Sequence, residues 1–561
     1  MVAELAEAFR LQQAGRFAEA ETAYARLLAQ HPDDAIALIN AGVLALARND
    51  VVRAISRLER AVALVPANAV AQNNLGFALI SAGRFAEALS MLDRAVDHQP
   101  GYAQAHNNRG IALSRLGRRS DAMNAFERAV ALDRTQADAA VNLGDAHGHA
   151  GSAAAARTAY AAALAAAPGN VAAQSGMAFA TALQGDLAGA RAALEAVVAA
   201  HPDSANAWQT LGAVTNWSWD HEHAETAFRR ALALQPDLAD AQFGIASTLL
   251  ARGSYRDGFA AFERRPDGIF GQRARLPQFP LWDGAPLSGT LLIHGEQGLG
   301  DVVQFARFVA GARERAGRIV VLLDGYWTPL APLLASCAGV DAVVTDVARL
   351  RDEAVAARIS ILSLPFVLGT TVNDLPGPLP YLTAPRERMA AWAQRLAGLT
   401  APRVGLVWSV QARDDHGFVT AHKSIPAAAL QPLLAMPDIA FVSLQPGAAG
   451  DPGVFRTQSR RVADFRDALD DFGDTAALIA SLDFVISADT AVAHVAGALG
   501  VPVFLLDRYN SCWRWRLAAE TSPWYPTMTI FRQARFADWS DPIRNVASRL
   551  DAWRANRREA G

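Results

Sequence analysis

Apolar and polar positions in the first half of the chain recur with a period of 34 residues. The period is marked by prolines at Pro32, Pro66, Pro100, Pro168, Pro202 and Pro236, and by glycines at Gly42, Gly76, Gly110, Gly144 and Gly212. In phase with them, a small residue is followed by a large apolar one, as at Ala88 and Leu92. Glycine and alanine let two helices approach closely, and proline cannot continue a helix. The pattern therefore predicts stacked helical hairpins, since one hairpin cannot bury its apolar face alone.

In the second half, short apolar runs alternate with helical patterns. Strands are predicted at 290–294, 318–323, 342–345 and 359–362, and, after a break rich in proline and glycine, at 403–408, 440–444, 484–487 and 501–505. Two such series predict two doubly wound α/β halves that face each other across a cleft. In sheets of this kind, ligands bind outside the carboxyl ends of the strands, so the loops after the strands are the candidate sites.

The composition narrows the class of protein. Hydrophobic residues make up 52% of the chain and charged residues 19%, as in ordinary globular proteins. A net charge of −3 does not favour a nucleic-acid partner, and no apolar run is long enough to predict membrane insertion. Because the cysteines are Cys337 and Cys512 alone, neither a disulfide framework nor a zinc cluster is expected. The first residues lack a signal-peptide pattern, so a cytoplasmic location is expected.

A glycine-rich loop follows the first predicted strand and opens a helical pattern, with the sequence Gly295-Glu296-Gln297-Gly298-Leu299-Gly300-Asp301. In α/β folds, such a turn presents backbone N–H groups to a charged ligand. One hypothesis is a nicotinamide site, with Asp324 at the end of the next strand as the ribose contact. Against it, the glycine order is the reverse of the usual fingerprint, and Glu296 and Asp301 would repel a pyrophosphate. The other hypothesis is that Asp301 acts in catalysis.

Two polar loops follow strands of the second series. One spans 411–423 and ends in Lys423, and the other spans 487–494. Thr490 can cap the following helix and leave N–H groups for a diphosphate, while Lys423 would add a positive charge beside it. A simpler interpretation is a purely structural role for the polar residues of the second loop, which are Asp489, Thr490 and His494.

The 34-residue unit resembles the tetratricopeptide repeat, a helical hairpin whose first helix lines the concave face of the array. Asparagines keep the period on these helices, at Asn40, Asn74, Asn108 and Asn142. A ladder of amides can bind an extended peptide backbone, and O-GlcNAc transferase, a repeat-linked glycosyltransferase, has a similar ladder. The alternative is that each asparagine only bonds a neighbouring helix end.

The second half resembles a GT-B glycosyltransferase, and within that class the lipopolysaccharide heptosyltransferases. The matching motifs are Gly298-Leu299-Gly300-Asp301, Lys423, and Asp489-Thr490 with His494. By this resemblance, Asp301 is the catalytic base in an acceptor-side loop with Gly298 and Gly300. The donor site would be formed by Lys423, Asp489, Thr490 and His494. The chain departs from the family at Ala491, where the family has glycine.

Together the resemblances predict an α-solenoid of tetratricopeptide repeats followed by a GT-B region of two Rossmann-like halves. The expected boundaries are 1–265 for the repeats, 266–288 for a connecting segment, 289–385 for the acceptor half, 386–535 for the nucleotide-sugar half and 536–561 for a helix that braces the first half.

The function implied is inverting transfer of a sugar from a nucleotide-activated donor to a Ser or Thr hydroxyl of a protein on the repeats. No metal and no cofactor are expected, because helix N-termini and Lys423 can neutralise the leaving phosphate. Bacterial repeat-linked transferases, some of which modify flagellin, suggest flagellin as the acceptor. The non-enzymatic alternative is a repeat scaffold with an inactive transferase domain.

Two further features lie near the C-terminus. An acidic run at Asp467, Asp470, Asp471 and Asp474 predicts a solvated loop that ends in a helix cap at Asp474, not a metal site. Aromatic residues at Trp513, Trp515, Trp524 and Tyr525 can either stack on a base or sugar or fill a core.

Overall fold

The computed structural model describes residues 2–265, 276–371, 375, 379–399, 402–410, 423–445, 462–515 and 520–560. The part of the predicted polar loop before Lys423 therefore lies outside the described residues. The described chain forms two compact units, Met1–Leu183 and Gln184–Gly561. In the part that the structure describes, no helix combines the length and the apolar character needed to cross a membrane.

Sixteen helices form the repeats, as predicted. They are Val2–Gln13 (α1), Phe17–Gln30 (α2), Ala35–Ala47 (α3), Val51–Leu64 (α4), Ala69–Ser81 (α5), Phe85–His98 (α6), Ala103–Arg115 (α7), Arg119–Leu132 (α8), Ala137–His149 (α9), Ala153–Ala166 (α10), Val171–Ala182 (α11), Leu187–Ala200 (α12), Ala205–Trp217 (α13), His221–Leu234 (α14), Ala239–Ala251 (α15) and Tyr255–Phe262 (α16).

The in-phase glycines bring the two helices of a hairpin together. A Cβ on Gly42 would lie 2.7 Å from Cγ of Leu58, and one on Gly110 would lie 2.5 Å from Cε1 of Phe126. Such distances are shorter than van der Waals contact, so these positions accept only glycine unless the large side chain moves. The predicted role of the small and large residues is confirmed.

The α/β part contains ten described strands and nine described helices. They are β1 (Leu287–His294), α17 (Leu299–Phe305), α18 (Val309–Arg313), β2 (Ala316–Leu322), α19 (Ala331–Leu334), β3 (Ala342–Val344), β4 (Val355–Ser360), α20 (Leu364–Val367), α21 (Arg386–Arg395), β5 (Arg403–Val407), α22 (Gln431–Leu434), β6 (Ala440–Ser443), β7 (Val462–Asp464), α23 (Phe472–Ile479), β8 (Phe484–Ala488), α24 (Ala491–Ala498), β9 (Val503–Asp507), β10 (Met528–Arg532) and α25 (Ser540–Ala560).

The strands form two sheets, in the orders β3-β2-β1-β4 and β10-β9-β8-β5-β6-β7. Every pairing between these strands is parallel. Two parallel α/β halves were predicted, and the architecture agrees. The sequence did not predict β7 and β10, which are the two edges of the second sheet.

Several strand boundaries differ from the prediction, and two of these differences have a local cause. The fourth strand was expected at 359–362 but ends at Ser360, whose Oγ accepts a hydrogen bond from the N–H of Leu362 at 3.2 Å and starts a turn. The strand expected at 501–505 begins at Val503, after Pro502, which has no N–H to give to a neighbouring strand.

The last repeat shares a core with both α/β halves. The ring of Tyr255 stacks on Trp524 at a centroid distance of 5.7 Å, and Phe259 contacts Phe305 at 6.1 Å. Just after the last repeat helix, the fully buried guanidinium of Arg265 donates two hydrogen bonds to Glu296, both of 2.6 Å. The repeat pattern and the compact units therefore divide the chain at different points, since the final repeats fold with the α/β part.

The C-terminal helix packs on the second sheet. Ile543, Val546 and Leu550 of α25 lie in one core with Phe484 and Phe504 of β8 and β9. The prediction that this helix braces the first half is wrong, because its apolar face meets apolar residues of the second half.

Candidate active site between the two sheets

Asp301 lies in the first turn of α17, directly after β1. The N–H of Gly298 donates to its Oδ2 at 2.9 Å, so the carboxylate helps to begin the helix. Its Oδ1 accepts a hydrogen bond from Nη2 of Arg514, which belongs to the second α/β half. The Asp301 side chain is 22% exposed, so it is within reach of a bound molecule.

Gly300 marks a close approach of the two halves. A Cβ on Gly300 would lie 2.8 Å from Cδ2 of His494 and 3.3 Å from Cα of Ala491. The glycine is thus explained by the N-terminal end of α24, without any need for room for an acceptor side chain. At Gly298, a Cβ would lie 2.9 Å from Oδ2 of Asp301, so this glycine leaves space for the carboxylate.

Other contacts of the same glycine-rich loop weaken the nicotinamide hypothesis. Gly295 packs against Trp327, where a Cβ would come within 2.9 Å of the indole ring. Glu296 is buried in its ion pair with Arg265, which holds the pKa of this carboxyl below its usual value although burial opposes ionisation. The loop residues that suggested a dinucleotide fingerprint serve packing and an ion pair within the fold.

Lys423 and Asp489 form an ion pair in the second half. Nζ of Lys423 lies 2.7 Å from Oδ2 of Asp489, and their side chains are 21% and 8% exposed. Burial opposes ionisation of Asp489, but its neighbours, Lys423 foremost, more than offset this effect and hold its pKa well below the usual range. Two of the four residues that were predicted at the donor site therefore lie together.

Thr490 and His494 belong to α24. Thr490 occupies the N-cap position, where its hydroxyl makes no cap hydrogen bond but lies 3.2 Å from Oγ of Ser487. The N–H groups at the start of α24 are thus not capped by Thr490. His494 is 5% exposed and stacks on Trp515 at 5.4 Å. Burial lowers the pKa of His494 to about 4, so the imidazole is neutral near pH 7.

The sequence reasoning missed the arginines of this region. Arg514 links Asp301 to Gln304, to which its Nε donates at 2.5 Å. Arg508, just after β9, contributes positive charge at Asp489, and its buried Nε and Nη1 bond no group of the described residues. Arg514 could have been found from its place between Trp513 and Trp515, two aromatic residues that the sequence analysis had already named as candidates for stacking.

All four C-terminal aromatic residues are buried in one core, and two of them also contact a predicted site residue. Trp513 and Trp524 pack with Tyr255 in the core. Trp515 and Tyr525 contact His494, the former by stacking and the latter through its hydroxyl, 3.0 Å from Nδ1.

The acidic run caps a helix, but at a different residue from the one predicted. Asp471, not Asp474, is the N-cap of α23 and accepts from the N–H groups of Gly473 and Asp474 at 2.7 and 3.2 Å. Arg388 pairs with both carboxylates. Within the described ranges, no group of three or more His, Cys, Asp or Glu residues is placed to hold a metal ion.

Two amides of the asparagine ladder already bond asparagines that lie outside the ladder, one position before an in-phase one. Nδ2 of Asn108 donates to Asn73 and Nδ2 of Asn142 donates to Asn107, both at 2.9 Å. Both bonds join one repeat to the preceding one, and each acceptor lies within a helix, not at the helix end that the structural alternative expected. Binding of a peptide by Asn40, Asn74, Asn108 and Asn142 stays a prediction.

Comparison with known families agrees with this architecture. Two models described as tetratricopeptide repeat match, one at residues 45–110 and 148–214 and the other at 5–69, 109–171 and 220–268. A model described as glycosyltransferase family 9 (heptosyltransferase) matches residues 471–538. This last segment contains Asp489, Thr490, His494, Arg508 and Arg514.

A curated relative and several solved structures are similar to parts of the chain. Protein FlbA of Caulobacter vibrioides is 30% identical over 336 residues, which cover 55% of this chain and 54% of FlbA. The chain thus spans about half the length of the curated relative that it matches.

Among solved structures, a tetratricopeptide repeat protein from Parabacteroides merdae is 16% identical with a TM-score of 0.38, covering 44% of this chain and 98% of that one. A thermophilic tetratricopeptide-repeat protein in Thermus thermophilus is 26% identical with a TM-score of 0.29, covering 32% and 98%.

Proposed function

We propose that this protein, which carries tetratricopeptide repeats followed by a glycosyltransferase family 9 domain, transfers a sugar from a nucleotide-activated donor to a protein hydroxyl. The observation that carries the proposal is the position of Asp301 from the first half. It lies beside the residues of the second half that fall within the family match, Arg514 by direct contact and His494 through Gly300. A base and a phosphate site on opposite sides of a cleft are the two parts that sugar transfer needs.

In the proposed reaction, Asp301 takes the proton of a Ser or Thr hydroxyl. The hydroxyl oxygen then forms a bond to the anomeric carbon, and the bond from that carbon to the phosphate oxygen breaks. The electron pair leaves with the nucleoside diphosphate, so the anomeric configuration inverts. For this step, Oδ1 of Asp301 must exchange its contact with Arg514 for a contact with the acceptor, or share itself between them.

The second half would hold the departing diphosphate. The N–H groups at the start of α24 point a helix N-terminus at the site, and Arg508, Arg514 and Lys423 bring positive charge. Lys423 is shared with Asp489, whereas the buried Nε and Nη1 of Arg508 have no partner among the described residues. We therefore expect metal-independent transfer with Arg508 as a main phosphate contact.

The repeats would hold the acceptor protein. The first helices of the early repeats carry the asparagine ladder next to exposed apolar side chains, Ile36, Val70 and Phe77. Such a mixed surface suits a peptide segment bound by its backbone and by a few apolar side chains. The likeness to repeat-linked transferases that modify flagellin makes flagellin the first acceptor to test.

The test is transfer itself, followed by the intact mass of the acceptor. Flagellin and other candidate acceptors are incubated with the purified full-length protein and a panel of nucleotide sugars. We expect one donor to add the mass of its sugar to one acceptor, in the presence of EDTA as well as without it. Loss of transfer in EDTA would contradict metal independence, and no mass addition with any pair would favour a non-catalytic scaffold.

The ladder is tested separately with the quadruple change of Asn40, Asn74, Asn108 and Asn142 to Ala. We expect weaker binding of the acceptor and unchanged binding of the nucleotide sugar, measured by pull-down and by calorimetry. Unchanged acceptor binding would leave the ladder with its structural role, that of joining neighbouring repeats.

A further inference from the structure

A chain of hydrogen bonds runs from His494 to the first half of the α/β part. Nδ1 of His494 lies 3.0 Å from Oη of Tyr525, and this oxygen lies 3.4 Å from Oη of Tyr381. Oη of Tyr381 in turn lies 3.0 Å from the carbonyl oxygen of Val303, in α17. The His494 end of this hydrogen-bond chain is shielded from water, since Tyr525 is fully buried and His494 is nearly so, whereas Tyr381 is half-buried.

The direction of every bond in this chain follows from its last member. The carbonyl oxygen of Val303 can only accept, so the single hydroxyl proton of Tyr381 is donated to it. Tyr381 must then accept from Tyr525, and Tyr525 has no proton left for His494. Nδ1 of His494 must therefore carry a proton and donate it to Tyr525.

This direction leaves a lone pair on the other ring nitrogen. A neutral imidazole that is protonated on Nδ1 has an acceptor at Nε2. Among the described residues, the hydrogen bond made by the His494 ring is at Nδ1 and leaves Nε2 available. The neighbouring ring atom, Cδ2, is the atom that faces Gly300 in the loop of Asp301. The charged groups that act on the ring from its surroundings are Asp489, Arg514, Asp301 and Lys423.

We propose that Tyr525 and Tyr381 are positioning residues that fix His494 as a hydrogen-bond acceptor, and that Nε2 receives a hydroxyl of the donor's sugar. This inference rests on the proposed transferase function. A lone pair on Nε2 repels phosphate oxygens, which are acceptors as well, and so selects an O–H group. His494 lies one turn beyond the start of α24, where the diphosphate is proposed to bind, so the sugar next to that diphosphate is the nearest source of hydroxyls.

The first test needs no substrate. Histidine labelled with ¹⁵N in the full-length protein reports which ring nitrogen carries the proton, and the resonances of His494 are those lost in His494→Gln. We expect a protonated Nδ1 and an unprotonated Nε2 near pH 7. A proton on Nε2 would overturn the hydrogen-bond chain whether or not the protein is a transferase.

The second test separates the sugar from the diphosphate. Calorimetry first finds the best binder among ADP, GDP, UDP and their sugar conjugates. Tyr525→Phe removes the acceptor for Nδ1–H, and we expect it to weaken the nucleotide sugar about tenfold while the free nucleoside diphosphate binds as before. Tyr381→Phe should act in the same direction but less, since it leaves the bond between His494 and Tyr525. Equal weakening of both ligands, or of neither, would overturn the inference.

The control is Tyr24→Phe, which removes another buried tyrosine hydroxyl, the one that donates to Gln12 at 3.0 Å in the repeats. It should change neither affinity. Failure of the proposed function is recognised separately: no nucleotide would bind the wild-type protein, although the ¹⁵N spectrum would still show the inferred tautomer. If Tyr525→Phe does not fold, Tyr381→Phe and the wild-type spectrum decide.

Discussion

Two carboxylates flank the candidate site, and their surroundings differ in an informative way. Asp489 is 8% exposed and pairs with Lys423 of its own half, whereas Asp301 is 22% exposed and pairs with Arg514 of the other half. A pair within one half keeps its partner when the two halves move relative to each other. A pair across the halves can exchange its partner for a bound molecule. On the proposed function, this contrast suits Asp489 to organising the donor site and Asp301 to the chemistry.

The largest expected effect is on turnover in Asp301→Asn. The amide can still accept from the N–H of Gly298, but it cannot take a proton from a hydroxyl. We expect the rate of transfer to fall by about 10³-fold while donor affinity changes less than a few-fold. The measurement is single-turnover transfer beside calorimetry with the donor. The control, Asp541→Asn, changes an exposed carboxylate in the first turn of α25. Near-native turnover would show that another group is the base.

Asp489→Asn should affect stability more than chemistry. Removal of this carboxylate leaves the partly buried Lys423 without its counter-ion, which we expect to cost about 2–3 kcal/mol in the free energy of unfolding. Urea unfolding of Asp489→Asn and Asp301→Asn measures the contrast. A larger loss in Asp301→Asn would reverse the assignment of the two carboxylates.

Two buried histidines extend the comparison to acid. His494 in the second half and His294 in the first each have a pKa of about 4, against 6.5 for an ordinary histidine, because burial disfavours the charged form. Between these two pKa values the unfolded chain binds more protons than the folded protein does. The free energy of unfolding therefore falls as the pH is lowered from about 6.5 to 4. The largest loss in the free energy of unfolding is about 3 kcal/mol for each histidine.

The check is the pH dependence of the unfolding free energy in His494→Gln and His294→Gln. Each variant should lose a similar part of the wild-type slope between these pH values and none above pH 7. A slope that neither variant changes would mean that both histidines are as easily protonated in the folded protein as in the unfolded one.

A smaller effect is expected from Arg514→Lys. Arginine reaches Asp301 with Nη2 and Gln304 with Nε, and a single ammonium group cannot reproduce this fork. We expect a roughly tenfold lower rate of transfer and little change in stability. Arg535→Lys, at an exposed ion pair, is the control and should leave the rate unchanged. An unchanged rate in Arg514→Lys as well would show that only the charge matters.

The sequence predicted those contacts whose two residues lie close together along the chain, and it missed those whose residues lie far apart. The repeats were predictable because Gly42 and Leu58 lie close in sequence and recur in phase. The ends of buried strands placed Asp301 and Asp489 correctly in the segments that follow the carboxyl ends of β1 and β8. The contact of Asp301 with Arg514 joins residues 213 positions apart, and no local pattern carries it.

The same reason explains the errors. The C-terminal helix was assigned to the first half by family likeness, while its actual place depends on side chains of β8 and β9 that lie far away in sequence. In the ladder, the companions Asn73 and Asn107 lie one position before the in-phase asparagines, so only the three-dimensional contact shows that they are partners.

The central claim is that the second α/β half, which contains β5 to β10, binds a nucleotide sugar. Its most direct test is isothermal titration of the full-length protein with nucleotide sugars and nicotinamide dinucleotides, repeated with Arg508→Gln. We predict that one nucleotide sugar binds, that the arginine variant binds it at least tenfold more weakly, and that no dinucleotide binds. Tight binding of a nicotinamide dinucleotide, or no binding of any nucleotide sugar, would contradict the account.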